Sequence, residues 1–158
     1  AVYRDSRFSG FDAACVVEVL EHLDPFRIPA FEQVLFAHAA PGTVILTTPN
    51  REYNVKYPAL KTGALRHGDH RFEWTRQEFA DWAAHVCRSY GYQVVCSGIG
   101  EEDPQVGAPT AERFRLSSIF SFRRIALAVI IASSSSTRSP AELAFIFLAS
   151  SGCRLNIL

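Results

Sequence analysis

Two apolar runs bracket a helical period in the first third of the chain. Phe11–Glu18 closes on Ala13-Ala14-Cys15-Val16-Val17, and Thr43–Thr48 reads TVILTT; both have the length and β-branched content of buried strands. Between them, Asp24-Pro25 offers an N-cap and a first-turn proline, and Pro29 restarts the helix. Phe31, Val34, Leu35 and His38 then recur at helical spacing until Ala40-Pro41-Gly42 stops them. Strand, helix, strand with short joints predicts a βαβ unit in an open, largely parallel sheet, and so an α/β fold.

Arg51 to Trp74 follows no period, and a loop of that length in a compact domain is functional or disordered. Thr75-Arg76-Gln77-Glu78 beyond it is a capping box. It opens a helix with Phe79, Trp82, Ala83, Val86 and Cys87 on one face and Gly91 as its C-terminal stop. Tyr92–Ile99 is expected as a third strand. Past Thr110 the character changes: serines and arginines rise, lysine vanishes and Ser133–Ser136 is a short low-complexity run. Phe114–Phe122 reads as a strand, and Ser139-Pro140-Ala141-Glu142 as a capping box before a short apolar helix. The chain therefore divides into residues 1–110 and a tail, 111–158.

Length sets the scale at one domain, since 158 residues are enough for one real core and hardly for two. Sixteen basic and 16 acidic side chains cancel, so no overall field draws the chain to nucleic acid or membrane. The distribution is less even: residues 1–110 hold 14 acidic and 10 basic groups, and the tail 2 acidic and 6 basic, all arginine. Cys15, Cys87, Cys96 and Cys153 lie far apart with no C-x-x-C pair, which argues against structural zinc and fits reduced thiols in a cytoplasmic protein. The longest apolar runs, Ile125–Ala132 and Leu143–Ala149, fall short of the roughly 20 residues of a membrane span. Ala1-Val2-Tyr3-Arg4-Asp5 reads as the exit of a strand already under way.

Candidate chemistry gathers in Glu18-Val19-Leu20-Glu21-His22. Positions i, i+3 and i+4 of a helical turn share one side, so Glu18, Glu21 and His22 could converge on one point. Hard oxygens with one imidazole suit magnesium or manganese. A solvated helix start explains the same residues equally well, and both readings stay open at this point. His67 and His70 are candidates for a distant further ligand, with Asp69 orienting a ring, or they are surface loop residues. Glu73 and Trp74 read as packing and capping residues. Gly98-Ile99-Gly100 is not a phosphate loop, because Glu101-Glu102-Asp103 would repel phosphate. Cys87 and Cys96 read as core thiols. Arg51, Lys56, Lys61, Arg66, Arg71 and Arg76 with Tyr53, Tyr57 and Phe72 form a basic and aromatic band that is either solvated surface or a platform for single-stranded RNA.

In order and spacing, FDAACVVEVLEHLD, TTPNREYNV and RHGDHRFEWTRQEF resemble the small-RNA 3′-terminal ribose 2′-O-methyltransferases of the Hua-enhancer type, bacterial branch. E-V-L-E-H-L is common among S-adenosylmethionine methyltransferases, whereas the H-R-F-E-W-T-R block is far more specific. The likeness runs from about Ala1 to Thr110, including GIGEEDPQVGAPT, and then stops. It implies a Rossmann-like class I methyltransferase whose magnesium or manganese is held by Glu18, Glu21, His22 and His70, with His67 in a less constrained place. In that family the metal holds the 2′- and 3′-hydroxyls of the last ribose. Asn50, Tyr53, Asn54, Arg66, Arg71 and Arg76 are the expected RNA contacts.

The departures from the family also carry expectations. The first strand, its glycine-rich turn and the acidic residue ending the second strand have no counterpart here. The expected fold is thus a partial one, the later strands of a mostly parallel sheet with flanking helices. Half of the S-adenosylmethionine pocket would lie upstream, and the tail would be divergent, as in a truncated or frame-shifted product. The expected function is metal-dependent methylation of an RNA 3′ end, by a fragment inactive alone that pairs with its missing N-terminal half or an RNA end-repair partner. The rivals are a non-catalytic RNA-end and metal-binding module and a fragment of a small-molecule methyltransferase.

Overall fold

The computed structural model describes residues 4–118, 145–148 and 156–157, and everything past Thr110 by backbone alone. The two apolar runs are strands: β1 spans Ala13–Val17 and β2 spans Thr43–Pro49. They pair in parallel, Ala13 opposite Thr43 through Val17 opposite Thr47, as the βαβ reading requires.

The intervening helix is less regular than its sequence pattern. A 3₁₀ turn, Pro25–Arg27, leads into α1, Ile28–Glu32, which widens to a π-helical stretch over Gln33–Ala39. Ala40 ends it in the left-handed region, at φ 44°. Asp24 stands at the N-cap position but makes no side-chain capping bond; its carboxylate lies 4.0 Å from Arg27 Nε and 3.7 Å from Arg71 Nε. The apolar stripe holds: Phe31, Val34, Leu35 and Phe36 are buried.

The second helix, α2 (Arg76–Tyr90), follows its sequence closely. Thr75 Oγ1 accepts from the Glu78 N–H, Glu78 Oε2 accepts from the Thr75 N–H, and Gly91 closes the helix at φ 72°. Phe79, Ala83 and Val86 are buried, and Trp82 and Cys87 pack partly buried beside them. Trp82 Nε1 donates to the buried Glu32 Oε1 at 2.7 Å, pinning α2 to α1.

Four further strands complete one sheet: β3 (Tyr92–Gln93), β4 (Thr110–Ser118), β5 (Phe145–Leu148) and β6 (Asn156–Ile157), in the order β3-β4-β2-β1-β5-β6. The described residues form an α/β fold in which β1, β2, β3 and β6 share one direction, as the parallel reading expects, while β4 and β5 oppose them. Only β1–β2 is parallel; β2–β4, β3–β4, β1–β5 and β5–β6 are antiparallel. The α2 crossover does return β3 in the same direction as β2, but β4 inserts between them and reverses the pairing on both sides.

Three local expectations are corrected. The third strand stops at Gln93 rather than Ile99, and Cys96 is therefore exposed instead of a core thiol. Gly98 fits a close approach, since a Cβ there would lie 2.6 Å from the Ala108 Cβ. Phe145–Leu148, expected in a short helix, is a strand along the outer edge of β1; its aromatic and β-branched content suits a strand, and that edge offers backbone partners. The capping box ahead of it, 139–142, lies outside the described residues, as does Cys153. Among the described residues no helix is long and apolar enough to cross a membrane.

Candidate metal centre

The site forms where β1 ends. Glu18 takes a left-handed backbone, φ 52°, held by its N–H on Thr47 O and Thr47 Oγ1 at 3.2 and 3.1 Å. That bend turns the chain into a 3₁₀ turn, Leu20–His22, anchored by buried Val19 and Leu20. The single helical face expected for Glu18, Glu21 and His22 is thus replaced by a bend and a tight turn.

The second half of the site is brought by the loop before α2. Arg51 N–H donates to Trp74 O at 2.9 Å, and Arg71 N–H to Glu21 O at 2.6 Å, so main-chain bonds join the His70 segment to the Glu21 turn. Glu21, His22 and His70 each then place one ligand atom within 4.8 Å of the others. Glu18 stands outside this group, its Oε1 accepting from Thr47 Oγ1 at 2.9 Å. His67 is also outside it, largely exposed, with Nδ1 on Asp69 Oδ1 at 2.5 Å.

Within the group, carboxylates stand behind both rings. His22 Nδ1 lies 3.2 Å from Asp69 Oδ2, and His70 Nδ1 lies 2.6 Å from Glu73 Oε1. Pairing at Nδ1 leaves Nε2 of each ring free to bind a cation. Glu21 is fully buried; its Oε2 accepts from Thr48 Oγ1 at 2.9 Å, while its Oε1 has no hydrogen-bond partner and lies 3.9 Å from His22 Nε2. Burial and the nearby Glu18 charge push the Glu21 carboxyl up to about 8. Burial also raises Glu18, against the hydrogen bond from Thr47, and lowers His22, against the pull of Asp69. An orphaned buried carboxylate oxygen in a cluster with two imidazoles fits a divalent cation.

The remaining sequence candidates divide by what their polar atoms touch. Asn50 is buried, donating to Val106 O at 2.8 Å and Ala108 O at 2.9 Å while accepting from Glu52 N–H at 3.0 Å. Asn54 donates to Glu73 Oε2 at 2.5 Å and accepts from Arg66, whose guanidinium also reaches Asn50 O and Pro109 O, each at 2.9 Å. These three build the loop. Arg76 pairs with Glu52 at 2.5 Å, and Arg71 is exposed beside Asp24. Tyr53 is half-buried, its ring 6.0 Å from that of Tyr57. Sequence reasoning missed Thr47, Thr48 and the role of Glu73. The i, i+3 spacing of His70 and Glu73 was the one available signal.

No protein-family model matches the chain. Over 99 residues, 63% of its length, it is 44% identical to a small RNA 2′-O-methyltransferase of Mus musculus and spans 24% of that relative. A crystal structure of the methyltransferase domain of a bacterial Hen1 superposes with a TM-score of 0.64 at 54% identity, covering 73% of this chain and 57% of that one. The structure of a Pnkp1/Rnl/Hen1 RNA repair complex matches at 0.53 and 26% identity, covering 73% of this chain and 24% of that one. The chain thus resembles part of the Hen1-type methyltransferase domain, and spans about a quarter of the mouse relative.

Proposed function

We propose that this chain is the metal- and RNA-holding part of a Rossmann-like methyltransferase domain that modifies the 2′-hydroxyl of an RNA 3′-terminal ribose. The observation that carries the proposal is the orphaned, buried Glu21 Oε1 in a residue grouped with His22 and His70. The likeness to small RNA 2′-O-methyltransferases supports the substrate class.

Glu21, His22 and His70 would hold magnesium or manganese, and Glu18, turned toward Thr47, would supply further negative charge nearby rather than a bond to the ion. When bound, such a cation lowers the pKa of a nearby hydroxyl and fixes the direction of its oxygen. The chain's own contribution is positional. Asp69 keeps the His22 ring turned, Thr47 and Thr48 hold the two carboxylates, and the Arg71–Glu21 main-chain bond sets their separation. Tyr53, Arg71 and Arg76 remain on the accessible side of the loop for contacts with RNA, while Asn50, Asn54 and Arg66 shape it from within. S-adenosylmethionine is the methyl donor this reaction class calls for, and its pocket is left unassigned among the described residues. An RNA end-repair partner is proposed by analogy with the repair complex.

The test is binding of a labelled RNA by the whole chain, with and without manganese. One RNA ends in an intact 2′,3′-diol and the other in a diol opened by periodate. The intact end should bind more tightly, and only with manganese present. Equal affinity for both ends, unchanged by chelator, would refute the reading; a small-molecule methyltransferase would behave that way. Tritium transfer to the intact end, added last, separates an enzyme from a binding module.

A further inference from the structure

We infer that Glu73 is a positioning residue for the cation site: its carboxylate locks the His70 ring with the proton on Nδ1 and so presents Nε2 to the cation. The inference deepens the metal reading above and rests on it.

Three N–H donors converge on this one side chain, which is fully buried. Oε1 receives the His70 ring at 2.6 Å and the Arg66 main-chain N–H at 2.7 Å, and Oε2 receives Asn54 Nδ2 at 2.5 Å. A carboxylate has lone pairs for all three. A glutamine does not, because its NH₂ end would face a donor whichever way it turned. The geometry therefore demands an acid at 73, beyond packing and capping.

The carboxylate is itself fixed. Asn54, which donates to Oε2, accepts from the Arg66 guanidinium at 3.0–3.1 Å. That guanidinium also spans Asn50 O and Pro109 O and lies over the Tyr57 ring, 5.1 Å from its centroid. The end of β2, the central loop and the segment before β4 are thus tied to Glu73. The His70 ring, edge-on to His22 at 4.9 Å between centroids, takes its orientation from that cluster.

The experiment uses the whole chain, selectively labelled with ¹⁵N-histidine, and reads the ring tautomer of His70 by long-range ¹H–¹⁵N correlation at pH 8 without metal. Manganese affinity is measured in parallel by calorimetry. Wild type should show the Nδ1–H tautomer. Glu73→Leu, which removes both acceptor oxygens, should lose it and weaken manganese about 10–100-fold. Tyr92→Phe, which removes a buried hydrogen bond to Pro41 O and touches neither Glu73 nor His70, should lower the melting temperature yet keep the tautomer and bind manganese within about threefold of wild type. An Nε2–H ring in wild type overturns the inference. So does a retained Nδ1–H in Glu73→Leu, or a Tyr92→Phe loss of manganese as large as that of Glu73→Leu. Should Glu73→Leu fail to fold, the wild-type tautomer still decides. Absence of manganese binding by wild type would refute the metal reading alone, since the tautomer is read without metal.

Discussion

Exchanging Glu21 for glutamine separates what the site costs the fold from what it does for a cation. Glu21 is fully buried, and Thr48 satisfies only one of its oxygens. A buried acceptor left without a donor costs about 1–3 kcal/mol, and more when charged. The folded carboxyl lies at about 8, above its ordinary 4.5, so its stabilising contribution is full below 4.5 and is lost as pH rises through about 8. Glutamine keeps the shape, can accept from Thr48, and can turn its N–H toward His22 Nε2. Without metal at pH 8.5, Glu21→Gln should therefore be more stable than wild type by about 1–3 kcal/mol. At about 2–4 °C per kcal/mol in a domain of this size, the gap is measurable by circular dichroism melts. At pH 5 it should nearly close. Manganese should reverse the order, because binding at 1,000 times the dissociation constant adds about 4.1 kcal/mol to wild type alone. If the variant is no more stable at pH 8.5, or if manganese raises both proteins equally, Oε1 is not the orphan that a cation satisfies.

Three further outcomes follow from named contacts. His22→Ala or His70→Ala should weaken manganese binding by more than the about 10–100-fold expected for a carboxylate behind a ligand, whereas His38→Ala and His85→Ala should leave it unchanged. Those last two rings engage Asp5 O and Glu32 instead, so equal calorimetric losses at all four would indicate unfolding. Thr75→Ala removes the cap of α2 and should cost about 1 kcal/mol in a denaturant titration; no change in midpoint would mean the helix is held by packing alone. Tyr92 donates to Pro41 O at 2.8 Å, and burial pushes its phenol up to about 12. Its contribution is full below the ordinary 10 and is lost as pH rises through 12, so ultraviolet titration should show a late tyrosine phase that Tyr92→Phe abolishes.

The parts of the fold legible in the sequence are those written in local pattern. TVILTT, the Phe31–Leu35 stripe and the Thr75–Glu78 box each specify themselves through burial or capping, and each element forms where its residues place it. The antiparallel insertion of β4 beside β2 was not legible, because it depends on which edge a distant segment meets. The candidate site divides the same way. Glu21, His22 and His70 were visible as residue types, but no local rule reveals that Glu18 bends left-handed and withdraws toward Thr47. The RNA contacts expected at Asn50, Asn54 and Arg66 were plausible by chemistry alone. Their amide and guanidinium groups also bond within the loop, an allocation that only three-dimensional contacts disclose.

The bond from the Arg71 N–H to the Glu21 carbonyl has a consequence for how such a site can change. It joins the two cation-facing segments through groups that every residue except proline possesses. Mutation of the side chains therefore leaves the spacing of the segments intact, and the donor set is exchangeable in a way the frame is not. A lineage or an experimenter could trade an imidazole for a carboxylate at 22 or 70 and retune metal preference without rebuilding the loop. Proline at 71 would do the reverse, preserving every donor atom while releasing the clasp that brings them together.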